Sequence, residues 1–164
     1  MNVNIILLTI LLLTLLGLGV WWFLDKAERY ETQLDPKLFE IRDKIAPMFT
    51  KDEQNPFQGV LEPLNHRDLL KEISLHRSNK SEAVNKSRVY LCLADKNNNY
   101  YHDNMLIYVT LHELSHCICP DTDDHSPHFV EIFRQLLTRA YHFGIYNPNI
   151  PPIEDYCGYK TRKV

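Results

Sequence analysis

The hydrophobic and polar positions divide the chain into one uninterrupted apolar run and a longer, patterned remainder. Residues Ile5 to Leu24 read IILLTILLLTLLGLGVWWFL, a run of 20 with two threonines as its polar members. At about 1.5 Å of rise per residue, a helix of this length crosses a hydrocarbon layer of about 30 Å. The run therefore predicts a transmembrane anchor over residues 1–24. Trp21 and Trp22 fall where an interfacial aromatic belt would lie. A cleavable signal peptide fits less well, because MNVN supplies no basic residue ahead of the run and VWWFLDK offers no small-x-small site behind it.

Past the run the periodicity changes. Asp25 to Thr32 is charged and reads as a stalk. Asp35 as N-cap and Pro36 at the first helical position predict a helix start, with Leu38, Ile41, Ile45 and Met48 along one stripe. Pro47 predicts an end or kink near Ala46. Lys51 to Gly59 is polar and turn-rich, as a linker would be. Leu61 to Leu75 is expected to be helical, with Leu64, Leu69, Leu70 and Ile73 facing inward, whereas Arg77 to Lys86 carries no pattern.

Arg88 to Leu93 alternates and is rich in strand-favouring residues, so it is the clearest strand. Lys96 to Asp103 reads as a loop, and Asn104 as the cap of a helix from Met105 to Cys117 anchored by Met105, Val109, Leu111 and Leu114. Cys119 to Asp124 (CPDTDD) interrupts the pattern. A second helix is expected from Pro127 to Phe143, with Phe129, Ile132, Phe133, Leu136, Leu137 and Ala140 at helical spacing and Gly144 ending it. The proline-containing remainder is expected to wrap the body. The expected organisation is an anchor (1–24), a stalk, helix and linker (25–58), an α+β domain (59–147) and a C-terminal tail (148–164).

Charge adds an orientation and an exclusion. Lys and Arg number 18 against 21 Asp and Glu, a formal net charge of -3, which excludes a strongly basic nucleic-acid coat. Lys26, Arg29 and Lys37 follow the apolar run and no basic residue precedes it, so the positive-inside bias puts the C-terminal domain on the cytosolic or virion-interior side of a membrane. Cys92, Cys117, Cys119 and Cys157 could make two disulfides, but a domain of this size does not require them and the expected side is reducing, and Cys92 reads as a small buried hydrophobe. Cys117 and Cys119 form a C-x-C, which is not the redox C-x-x-C spacing.

The chemistry is concentrated in His112 to His116, which reads HELSH, an H-E-x-x-H inside a predicted helix. Two imidazoles one turn apart share a face and can bind one zinc ion, and the intervening Glu113 is placed to take a proton from a bound water. A hydrolytic zinc site needs a third protein ligand. His125 is favoured because it lies in the loop just ahead of the second helix. His128 follows as an alternative or as a neighbour of the site. Asp121, Asp123 and Asp124 are fallbacks, and Glu131 is the helix-borne carboxylate option.

The segment from Val89 through Tyr146 resembles the WLM and SprT-like group of small zinc proteases, and most of all the short versions encoded by large double-stranded DNA viruses. The likeness is carried by VYLCL, Asn104, HELSH, His125-x-x-x-Phe129, GIY and the tail Tyr156–Gly158. It implies a zincin-like α+β fold of the minigluzincin type with a short sheet, a zinc ion on His112, His116 and His125, and Glu113 as general base. Cellular members of the group act on proteins crosslinked to DNA through added basic or zinc-binding modules. This chain has no such module, so the resemblance does not extend to that substrate.

These readings predict a membrane-anchored zinc metallopeptidase acting on a peptide or protein, with a lipid bilayer engaged through residues 5–24. Tyr156 is the preferred oxyanion donor ahead of Tyr141 and His142. The strand Arg88 to Leu93 is expected to pair with extended substrate at a sheet edge. Two other readings accompany this one: a structural zinc-binding virion membrane protein without turnover, and a binding module whose Pro127 to Tyr141 helix packs on another virion component.

Overall fold

The computed structural model of the chain describes residues 11–22, 35–50, 56–122 and 125–160. The chain divides into two units, residues 1–34 and 35–164. In the first, residues 11–22 are helical, and at about 1.5 Å per residue they extend about 18 Å. Among the described residues no helix is long and apolar enough to cross a membrane. This overturns the expected anchor, and with it the bilayer partner and the membrane location inferred from it. The remaining residues of the expected span, 5–10 and 23–24, and the stalk over 25–32 lie outside the described residues.

The second unit begins where Asp35 caps helix α1 (Pro36–Phe49), its carboxylate accepting from Lys37 N–H at 2.8 Å. Asp35 is buried, and it also accepts from the Arg77 guanidinium at 2.8 Å and from the Tyr100 hydroxyl. The helix start is thereby tied to the sheet. Leu38, Ile41, Ile45 and Met48 are buried on the expected stripe. Pro47 does not end the helix, which runs on to Phe49. The proline sits in the last turn, where it removes one backbone bond while Met48 is fully buried.

The expected helix from Leu61 to Leu75 is three shorter elements. A 3₁₀ helix covers Gly59–His66 and buries Leu61 and Leu64, three apart and stacked by its threefold repeat. A single turn, α2, covers Leu69–Glu72, and strand β1 follows at Ser74–Arg77. Strand β2 (Glu82–Val84) and strand β3 (Arg88–Leu91) complete a mixed sheet in the order β1-β3-β2, with β1 parallel and β2 antiparallel to β3. Asn85 and Lys86 turn the β2–β3 hairpin with φ of 52° and 53°, the left-handed conformation that matches strand twist in tight hairpins. The strand expected at a substrate-pairing edge is therefore central. β2 is the edge.

Helix α3 (Asp103–Ile118) is buried on nearly every face, which its apolar composition permits. Its N-cap is His102, whose ring nitrogen accepts from Asn104 N–H at 3.1 Å, so the expected capping role of Asn104 is corrected. Asn104 is instead buried, and its amide accepts from Asn147 N–H and donates to the carbonyls of Asn147 and Ile150. Helix α4 (Pro127–His142) is capped by the Ser126 hydroxyl and packs Phe129, Ile132, Phe133, Leu136 and Ala140 inward. Gly144 follows its end at φ 70°. The tail forms a small hairpin, β4 (Asp155–Tyr156) with β5 (Tyr159–Lys160).

The reading of Cys92 as a small buried hydrophobe is corrected by a crosslink. Cys92 and Cys157 form a disulfide between the end of β3 and the tail hairpin, while Cys117 and Cys119 are free and buried.

Candidate metal centre

α3 carries His112 and His116 on one face, their ring centroids 5.1 Å apart. His125 reaches the same point from the loop before α4 by adopting φ 54°, a left-handed conformation that histidine enters more readily than bulky or branched residues do. Its Nε2 lies 3.0 Å from Nε2 of His112, and its ring centroid lies 5.1 Å from that of His116. One ligating atom from each of the three falls within 4.8 Å of the others. Three imidazoles presented this closely are capable of coordinating one metal ion.

Phe129, one turn into the structure that follows His125, lies beneath all three imidazoles. Its ring centroid is 5.0 Å from His112, 4.3 Å from His116 and 4.8 Å from His125, and the side chain is buried. Phe133 adds an edge contact to His112 at 5.2 Å. These buried rings restrict the imidazole orientations. The sequence signal for Phe129 is its place four residues after His125 on the apolar stripe of α4.

Glu113 is 6 % exposed and lines the same cleft as the three histidines. The cleft is about 600 Å³, and its other wall is built from Ser81, Glu82, Ala83, Asn85 and Lys86 of the β2 hairpin. Lys86 donates its ammonium to the carbonyl of Cys119 at 2.6 Å, fastening the hairpin turn to the end of α3. Sequence reasoning missed this wall because Arg77 to Lys86 has no hydrophobic period.

The structure brings His112, Glu113, His116 and His125 together in one cleft, which Asp121 also lines, and Tyr156, Tyr141, His142, Glu131 and His128 are not among its lining residues. Tyr156 is 4 % exposed, with its hydroxyl donating to the carbonyl of Cys92 and lying 3.0 Å from the Ser81 hydroxyl. Burial pushes its phenol well above the ordinary range. Tyr141 is exposed against His142, which lines a different cavity. Glu131 is held by Arg134 and Gln135, which lower its carboxyl to about 2. Asp123 and Asp124 lie outside the described residues.

His128 and Asp121 belong to another group. His128, Asp121 and Cys119 also present three ligating atoms within 4.8 Å of one another. The Ser126 hydroxyl, donating to Asp121 at 2.6 Å, and then the His128 ring hold the Asp121 carboxyl below its ordinary value. Among the described residues, two clusters of His, Cys and Asp side chains are thus capable of coordinating a metal ion.

No family model matches the chain, and no solved structure matches it. The expected membership of the WLM and SprT-like group is accordingly not upheld. The chain is 41 % identical over 104 residues to uncharacterized protein 136R of Invertebrate iridescent virus 6, an alignment that covers 62 % of this chain and 58 % of that protein. It is 34 % identical over 134 residues to uncharacterized protein R325 of Acanthamoeba polyphaga mimivirus, covering 74 % of this chain and 66 % of the relative. With uncharacterized protein 042R of Invertebrate iridescent virus 3 it shares 32 % identity over 121 residues, covering 73 % and 76 %. On the strength of that last match, the chain belongs to the family of protein 042R of Invertebrate iridescent virus 3.

Proposed function

We propose that the protein is a zinc-dependent peptidase, with His112, His116 and His125 as metal ligands and Glu113 as the proton-transferring group. The observation that carries this reading is the convergence of three imidazoles beside a buried carboxylate in one cleft. A zinc ion bound there would supply Lewis acidity and a water of lowered pKa. Glu113, one residue after His112 on α3, accepts a proton on the cleft side and returns it to the leaving amine. The β2 edge aligns extended substrate along the cleft by main-chain pairing, the role first expected of β3. Tyr156 enters as a positioning group, since its hydroxyl joins Cys92 to Ser81, and Ser81 borders the cleft.

The test uses the full chain, zinc-loaded, incubated with an unstructured protein and a mixed peptide library, with products read by mass spectrometry. Cleavage is expected, and Glu113→Gln is expected to lower its rate by at least about 10²-fold while metal content stays unchanged. Failure of the zinc-loaded protein to cut any substrate, or an undiminished rate in E113Q, would overturn the reading.

A further inference from the structure

Two short stretches of the chain repeat one spacing. Cys119 follows His116 by three residues, and His128 follows His125 by three. The first of each stretch's two residues goes to the imidazole cluster, and the second goes to the group formed with Asp121. Cys119 closes α3 as its C-cap, and His128 lies in the first turn of α4. The group therefore spans the two ends of the loop that presents His125.

Three different ligand types meet in the group. Nδ1 of His128 and Oδ1 of Asp121 stand 3.6 Å apart, too far for a hydrogen bond, yet near the roughly 3.3–3.5 Å edge of a tetrahedral zinc site. Asp121 directs its other oxygen, Oδ2, to the Ser126 hydroxyl, which leaves Oδ1 facing the imidazole. Cys119 completes the set with a buried thiol, 3.9 Å from the same hydroxyl. Thiolate, carboxylate and imidazole together suit zinc better than the hard cations magnesium and calcium, which favour oxygen donors.

We propose that Cys119, Asp121 and His128 form a second zinc site that staples the end of α3 to the start of α4 and so fixes the loop carrying His125. Binding displaces the thiol proton, and the metal–sulfur bond joins the two helix ends across the loop. The site stands whether or not the imidazole cluster supports hydrolysis.

The experiment is cobalt and zinc loading of the full chain, unreduced, at saturating metal, with metal counted by plasma mass spectrometry and cobalt coordination read in the near ultraviolet. The wild type is expected to hold about two ions per chain and to show a thiolate-to-cobalt charge-transfer band. The double variant His112→Ala, His116→Ala is expected to keep about one ion together with that band. Cys119→Ala is expected to lose the band and one ion. Should C119A fail to fold, Asp121→Asn serves, with loss of one ion expected. A wild type without the band, or a histidine double variant that binds no ion, would overturn the site and leave the group as a hydrogen-bonded cap.

Discussion

Cys157 in the tail is bonded to Cys92 at the end of β3, and Tyr156, its chain neighbour, donates its hydroxyl to the carbonyl of that same Cys92. One strand end thus receives a covalent and a polar attachment from adjacent residues. Cys157 N–H adds a bond to the Tyr101 hydroxyl at 3.1 Å, and the Tyr101 and Tyr156 rings pack at 4.9 Å.

The crosslink separates its partners by 65 residues, and constraining an unfolded loop of that length is worth about 4 kcal/mol on the chain-entropy account. Replacing both cysteines, Cys92→Ala with Cys157→Ala, is expected to lower unfolding free energy by about 2–4 kcal/mol. Equilibrium urea unfolding of the variant and of the wild type, with and without reductant, checks this. The wild type under reductant should fall to the level of the variant.

Phe129→Ala removes a buried ring that contacts three imidazoles. The expected cost is about 3–5 kcal/mol of stability. Zinc affinity should fall as well, because the rings lose their backing. Phe129→Leu is expected to recover most of the stability and less of the affinity, a split that calorimetric metal titration beside chemical denaturation resolves.

Asn104→Ala deletes an amide that bonds the backbone of Asn147 and Ile150. Buried groups left without partners cost about 1–3 kcal/mol. The loss should be accompanied by faster amide exchange at Asn147, which a hydrogen-exchange measurement detects directly.

His76 supplies a pH signature. Burial, and then the charge of Arg88, hold its imidazole below the ordinary 6.5. The native state therefore binds fewer protons than the unfolded chain just below 6.5, so stability is complete above that pH and declines as pH falls through the native value. His76→Phe, which preserves a ring against Tyr90, should flatten this part of the stability profile. In thermal melts of both proteins across pH 5 to 8, the stability of the variant minus that of the wild type is expected to rise toward the acid end, and a difference constant with pH would refute the assignment.

The long helices were legible because each states its period and its start: Asp35 with Pro36 opens α1, and Pro127 opens α4 over a stripe that repeats through Ala140. β1 was not legible, since Leu75 and His76 are both buried in succession and present no alternation. The leucines from Leu61 to Leu70 fit a 3₁₀ turn and an α-helix equally well, as a spacing of three belongs to both. The imidazole cluster could be read from HELSH and the position of His125. The partner of Cys92 could not, because pairing across 65 residues is a property of the folded topology. Hydropathy alone made an anchor of residues 5–24, and the structure supports no crossing helix among the described residues.

β2 is three residues long, and its outer side pairs with no strand among the described residues. A chain laid along it would gain about two or three main-chain hydrogen bonds, each worth roughly 1 kcal/mol net. That is a weak grip, and alternate side chains along so short a contact leave little room for reading a motif. Under the proposed activity, target choice becomes a matter of mechanics: a neighbour is cut where it has slack enough for a few residues to lie flat, and holding that neighbour nearby falls to surfaces outside the cleft.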